Sequence, residues 1–191
     1  SYQMSQTLRF SARTFFTNFE LLDLAFDQSS NLYFSGYFAG QVNLKGSGSA
    51  HIISTFDRLA GLIVKYDSLG NFIWSSQMES LSGGTSYHRK LDIRGEQIVT
   101  HGGFFDDVHL DSSKSLAPVK SNGNRDAFIG IYDTLNGTLI AQTSFGGPSQ
   151  ETPRKSMFLN QKEIISVGYF EDAFSFNPVD STRDSLTAFV K

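Results

Sequence analysis

SGYFAGQVNL, residues 35–44, returns twice along the chain, as HGGFFDDVHL at 101–110 and as VGYFEDAFSF at 167–176. Each copy carries glycine second and phenylalanine fourth. Gly36, Gly102 and Gly168 therefore keep step with Phe38, Phe104 and Phe170, 66 residues apart both times. Neighbouring segments hold the same register. Short apolar runs precede each copy: NLYF (31–34), QIVT (97–100) and EIIS (163–166). A variable loop follows, then GLIVKYD (61–67), AFIGIYD (127–133) and the terminal AFVK (188–191). YDSLGNFIWSS (66–76) reappears as YDTLNGTLIAQ (132–142) and, more weakly, as YQMSQTLRFSA (2–12). Self-similarity at such a period is the mark of a stacked repeat architecture.

Each unit reads as β. Its apolar residues alternate or form short runs rich in Val, Ile, Tyr and Phe, with Gly, Asn, Asp and Ser clusters between them. DQSSN (27–31), DSLGN (67–71) and DTLNG (133–137) read as hairpin turns, where the opening Asp accepts backbone N–H groups and a later Gly or Asn takes positive φ. The first whole unit is expected to hold strands near 21–26, 32–36, 62–66 and 72–76, with the QVNL segment (41–44) as an extra piece. No window carries a sustained helical period. Pro118, Pro148, Pro153 and Pro178 all fall in predicted loops or strand starts.

Four antiparallel strands per unit, arranged radially, describe a blade of a β-propeller, in which blade covers blade. The expected fold is all-β: one domain over 1–191, with a partial unit at 1–17, whole units at 18–80 and 81–147, and a second partial unit at 148–191. That makes about three blades. Closed propellers have about four to eight, so the sequence predicts either a stretch of a longer array or two copies completing a six-bladed ring. Trp74 is expected to pack between sheets.

Composition narrows the function. At 191 residues, 39% hydrophobic and 18% charged, the chain is too apolar for a disordered protein. Net charge is −3, and Lys and Arg follow no stripe, so nucleic acid is not an expected partner. No apolar run nears the roughly 18 residues of a membrane span, and nothing resembles a signal peptide. With no Cys, disulfides and thiolate chemistry are excluded.

DQSSNLYFSGYF, GLIVKYDSLGNFIW, RDAFIGIYDTLNG and SFGG (144–147) resemble the bacterial β-propeller repeat family of the SBBP type, the seven-bladed propeller repeat. The likeness spans the whole chain. It departs at Trp74, the sole Trp, whose counterparts are Phe10 and Ile140. The resemblance implies a secreted or cell-surface bacterial protein, extracellular or periplasmic, with no catalytic residue set.

Candidate sites are few. His101, His109, Asp106, Asp107 and Asp111 lie close in sequence, but the other units place Ser35 and Val167, Asn43 and Ser175, Lys45 and Asn177 at the His101, His109 and Asp111 positions. Solvated turn residues are expected there, and neither metal nor cofactor. His88–Arg89–Lys90 reads as a solvated loop or edge. Asp106/Asp107 and Glu171/Asp172 occupy matching loop positions as acidic turns. Phe15, Phe16 and Phe19 cluster near strand ends. Phe38, Phe104 and Phe170, being repeated, belong to the core, whereas Tyr37, Tyr87, Phe105 and Tyr169 are the candidate binding residues. The expected function is a non-catalytic interaction module whose loops bind a protein partner or surface complex. The alternative is lectin-like carbohydrate binding by aromatic pockets between blades, and a weaker one is a hydrolase with its site over the central channel.

Overall fold

The computed structural model describes residues 11–12, 18–45, 48–160, 162–171 and 175–177. Among them the fold is all-β, with every sheet antiparallel and no helix. The expected AFVK strand, Phe15, Phe16, Asp172, most of the first partial unit and the end of the second lie outside the described residues.

The first sheet is a meander of β2 (Asn18–Phe26), β3 (Leu32–Asn43), β4 (Ile52–Tyr66) and β5 (Phe72–Gln77), each paired with the next. β1 (Ser11–Ala12) lies before it and β6 (Glu79–Ser80) after it. The second meander runs β7 (Ser86–Arg94), β8 (Gln97–Phe104), β10 (Asp126–Asp133) and β11 (Leu139–Gly146), with β9 (Val108–His109) between its second and third strands. A hairpin of β12 (Glu151–Phe158) and β13 (Ile164–Phe170) follows, then β14 (Ser175–Asn177). The four predicted strands of the first unit are β2 to β5. QVNL is no separate piece there: β3 runs on through a register shift between Phe38 and Gly40.

Turns and buried bonds recur in step. Asp27 Oδ1 accepts the N–H groups of Ser29 and Asn31, Asp67 Oδ1 those of Leu69 and Asn71, and Asp133 Oδ1 that of Leu135. Gly70 and Gly137 take the positive φ of the last two turns. Tyr66 Oη donates to the Leu44 carbonyl at 2.7 Å, and 66 residues on Tyr132 donates to Leu110 at 2.8 Å.

The sheets stack face to face. β7 lies against β2, β3 and β4, and β12 lies against β7, β8 and β10. Between the first two sheets sit Tyr33, Ile63, Trp74, Leu91, Ile98 and Phe128, all buried. Between the second sheet and the hairpin sit Val99, Ile129 and Phe158. Phe38, Leu62, Val64 and Tyr66 fill the opposite face of the first sheet. Phe38 and Phe104 are fully buried, as expected of repeated core residues, whereas Phe170 is only half-buried.

Hydrogen bonds tie the stack. Trp74 Nε1 and Lys65 Nζ, on the first sheet, both donate to the Thr134 carbonyl of the second, at 3.1 and 2.8 Å. Asp23 on β2 accepts the Leu91 N–H of β7, and Asp92 on β7 accepts the Phe158 N–H of β12. Short ladders add to this: β1 pairs with the end of β3, β6 with β9, and β14 with β11. In each, the end of a second strand or the segment following it meets chain from the neighbouring unit.

Candidate functional site

Antiparallel pairing gathers the starts of β2, β7 and β12 with the ends of β3, β8 and β13 at one end of the stack. Bonds between sheets hold these ends level. The Gly61 N–H donates to Ser86 Oγ at 3.2 Å, and the Glu151 N–H donates to the Arg125 carbonyl at 2.9 Å.

The four aromatic candidates lie at this end. Glu20 faces Tyr37 across β2–β3, Tyr87 faces Gly103 across β7–β8, and Thr152 faces Tyr169 across β12–β13. These are one position in three units, since Tyr37, Gly103 and Tyr169 keep the 66-residue step. Where the second unit has glycine on β8, the Tyr87 ring arrives from the partner strand and fills the place: a Cβ on Gly103 would stand 2.6 Å from its Oη. Tyr37 Oη donates to Glu20 Oε2. The Arg154 guanidinium lies over the Tyr169 ring, 5.3 Å from its centre. Phe105 follows the end of β8, its N–H bonded to the Thr85 carbonyl. Tyr37, Tyr87 and Phe105 are half-buried and Tyr169 is exposed. The three tyrosines stand on three successive sheets, with Phe105 on the same sheet as Tyr87, so they form a row along the stack and no single pocket.

Sequence reasoning missed a carboxyl pair at the same end. Asp126 opens β10, Glu151 opens β12, and both are fully buried within hydrogen-bond reach of each other. Two carboxyls so placed ionise together only at a cost, which favours a proton shared between them. Burial, then the Asp126 charge and bond, then Glu171, push Glu151 up to about 7, against the opposing Gly147 N–H. Burial also raises Asp126, but the Asn122 N–H and the Ser121 hydroxyl favour its ionised form. Glu151 is thus the carboxyl that holds its proton to higher pH. Gly146 makes room, since a Cβ there would stand 2.0 Å from Asp126 Oδ1. Arg125, the adjacent cation, turns its Nη2 to Thr152 Oγ1 at 2.7 Å. No sequence signal announced the pair, because its members lie 25 residues apart and the preceding unit has Ala60 and Thr85 in their places.

The histidine expectations need correction. His101 and His88 are both fully buried on strands, and neither belongs to a solvated turn or edge. Thr100 Oγ1 donates to the Lys90 carbonyl at 2.8 Å, so at the 3.2 Å contact with His88 Nδ1 the proton must belong to the imidazole. Burial, with a lesser push from neighbouring positive groups, lowers His88 to about 3 and His101 to about 4. Asp111 is buried as well, accepting from the Ser113 hydroxyl and from Ser115. Asp107, half-exposed, takes Lys120 Nζ at 2.6 Å and the Ser121 N–H. Among the described residues no three His, Cys, Asp or Glu side chains converge on a metal position. Among them too, no helix is long and apolar enough to cross a membrane.

No protein-family model matches the chain, and no curated protein matches it in sequence.

Proposed function

We propose that the chain is a run of β-propeller blades of the SBBP-like kind and works as a non-catalytic interaction module of a secreted or cell-surface bacterial protein, binding a protein partner through its strand-end loops. The observation that carries this best is the row of Tyr37, Tyr87 and Tyr169, one aromatic at one register position in each unit, with Phe105 beside it. Half-exposed aromatics at the ends of rigid strands are typical anchors of protein interfaces. The buried carboxyl pair is read as part of the framework, because neither Asp126 nor Glu151 has surface to offer a substrate.

Carbohydrate is the second reading, favoured by one contact: Tyr37 carries a carboxylate acceptor, Glu20, at its hydroxyl, which joins a flat apolar face to a polar edge. Capture from a bacterial envelope extract and a glycan array separate the two. A stoichiometric protein partner, retained without sugar and lost in Tyr37→Ala and Phe105→Ala, supports the interaction module. Saturable glycan binding lost in the same variants supports the lectin. Binding of either kind that both variants leave intact overturns the aromatic row as the site.

A further inference from the structure

The two faces of each sheet have different occupants. On the second strand of every unit, one row of side chains points toward the unit that follows: Tyr33, Ser35 and Tyr37 on β3, Val99, His101 and Gly103 on β8, and Ile165, Val167 and Tyr169 on β13. In the first two units this row is sealed apart from Tyr37, which is half-buried. Tyr33 and Ser35 are 0% exposed, and so are Val99 and His101. The cover comes from the first strand of the following unit, whose Leu91 and Ile93 pack over Tyr33 while Phe158 packs over Val99.

In the third unit the same row is open. Ile165, Val167 and Tyr169 are 46%, 58% and 42% exposed, and Met157, opposite Ile165, is 38% exposed. The other end of the stack shows the matching half. Phe26 pairs with Leu32 as Ile93 pairs with Ile98 and Phe158 with Ile164, so Phe26 holds the covering position of the first unit. Yet Phe26 is 61% exposed and its neighbour on that face, Leu24, is 55% exposed. One end of the stack presents a face that elsewhere receives a first strand. The opposite end presents the first-strand side chains that elsewhere do the covering.

We propose that the open β12–β13 face is a docking surface for a second copy of this chain, which seats Leu24 and Phe26 of its own β2 over Ile165 and Val167. The occupant is a second copy because the contact continues an interface the molecule already makes twice, with the same register position supplying the cover each time. Both rows are apolar, with Lys155 opposite Val167 and the Arg154 guanidinium over Tyr169 on the receiving side, and soluble proteins seldom leave such rows bare. The contact is heterologous: face meets covering strand, head to tail, so two copies close a ring by making the joint twice. On the propeller reading of about three blades per chain, two copies supply about six, inside the about four to eight at which propellers close. Only that closure rests on the propeller reading above. The docking surface itself stands on the exposed rows.

Light scattering and native mass spectrometry of the 191-residue protein and two variants test this. The wild type is expected at about 42 kDa, twice the chain mass of 21.2 kDa, at concentrations of tens of micromolar. Val167→Lys and Phe26→Lys each weaken the pair about 100-fold or more, since an ammonium in an apolar joint finds no partner. A mixture of the two variants recovers a mixed pair held by one sound joint, tighter than either variant alone and weaker than the wild type, because the first keeps a sound head and the second a sound tail. A wild type that stays at 21.2 kDa up to about 100 µM overturns the proposal. So does a pair that Phe26→Lys leaves intact, which would mean face meeting face. Both substitutions fall on exposed side chains, and unchanged Trp74 fluorescence reports that the sheets remain stacked. Loss of the pair in Phe26→Lys with partner capture unchanged, beside loss of capture with the pair intact in Tyr37→Ala, separates this inference from the proposed function.

Discussion

Single residues show where physical cause and sequence signal part company. Gly36, Gly102 and Gly168 were visible as a repeat, but their reason was not, since none takes a positive φ. Each lies beside a register shift in the facing first strand, between Leu21 and Asp23, His88 and Lys90, and Pro153 and Lys155. The displaced strand presses a carbonyl onto the glycine. A Cβ on Gly102 would stand 1.8 Å from the Tyr87 oxygen, and one on Gly36 would stand 2.0 Å from that of Glu20. Gly102→Ala should therefore cost about 1–3 kcal/mol, the usual penalty of overpacking, seen as a lower urea midpoint with unchanged slope. The buried ionisable groups make opposite contributions to pH dependence. Glu151, raised to about 7 in the fold from an ordinary 4.5, binds its proton more tightly folded than unfolded. Its stabilisation is complete below about 4.5 and is lost as pH rises through 7. His88 and His101, lowered to about 3 and 4, act the other way, since stability falls as pH drops below their ordinary 6.5. A bare melting curve mixes these trends, so the difference between wild type and Glu151→Gln is the informative quantity. The variant should gain on the wild type steadily from pH 4.5 to 7, and a flat difference across that window would refute the shared proton. Proton resonances of the His88 and His101 rings should likewise show no titration between pH 5 and 8.

At the scale of elements, β2 to β5, the Asp turns and the repeated core phenylalanines were legible because each leaves a local mark: alternation for strands, Asp with Gly or Asn for turns, recurrence for core. What joins one element to the next was not legible, because contacts between sheets carry no periodic signature. His88 illustrates this. Set between Tyr87 and Arg89 it looks like a polar edge, yet it packs edge-on against the Phe128 ring at 5.2 Å because β7 is covered on both faces. The Asp bridges were equally hidden, since Asp23 and Asp92 stand 69 residues apart and break the 66-residue step. Asp92 Oδ2 accepts the Phe158 N–H at 3.0 Å, and Phe158 supplies the cover of Val99. Asp92→Ala should strand that buried donor at a cost of about 1–3 kcal/mol. Hydrogen exchange localises the loss: the Phe158 amide should exchange faster while Ile98 and Tyr132, deeper in the second sheet, keep their protection until global unfolding. Uniform acceleration across both sheets would mean that Asp92 supports the fold in another way.

At the scale of the whole molecule the described residues make a line of sheets, the first packed on the second and the second on the β12–β13 hairpin. Stability in such a stack is the sum of what each sheet holds by itself and what each joint adds. The second sheet has both joints and four main strands, and its central strands β8 and β10 are almost wholly buried. The β12–β13 hairpin is the opposite case among the described residues, with one face on the second sheet and the other open at Ile165, Val167 and Tyr169. A two-stranded hairpin has marginal stability unless a neighbour covers it. Opening of β12–β13 should therefore be the cheapest excursion of the stack, and native-state exchange should show β13 amides unprotected long before those of β8. The docking inference changes this prediction in a specific way. A second copy seated on β13 stabilises the hairpin by mass action, so protection of the Ile165 and Val167 amides should rise with protein concentration while that of Val99 stays constant. Val167→Lys should abolish the concentration dependence and leave the β8 rates where they were. Protection on β13 that is high and independent of concentration would mean that the chain covers this face unaided, and the joint between copies would have to be given up.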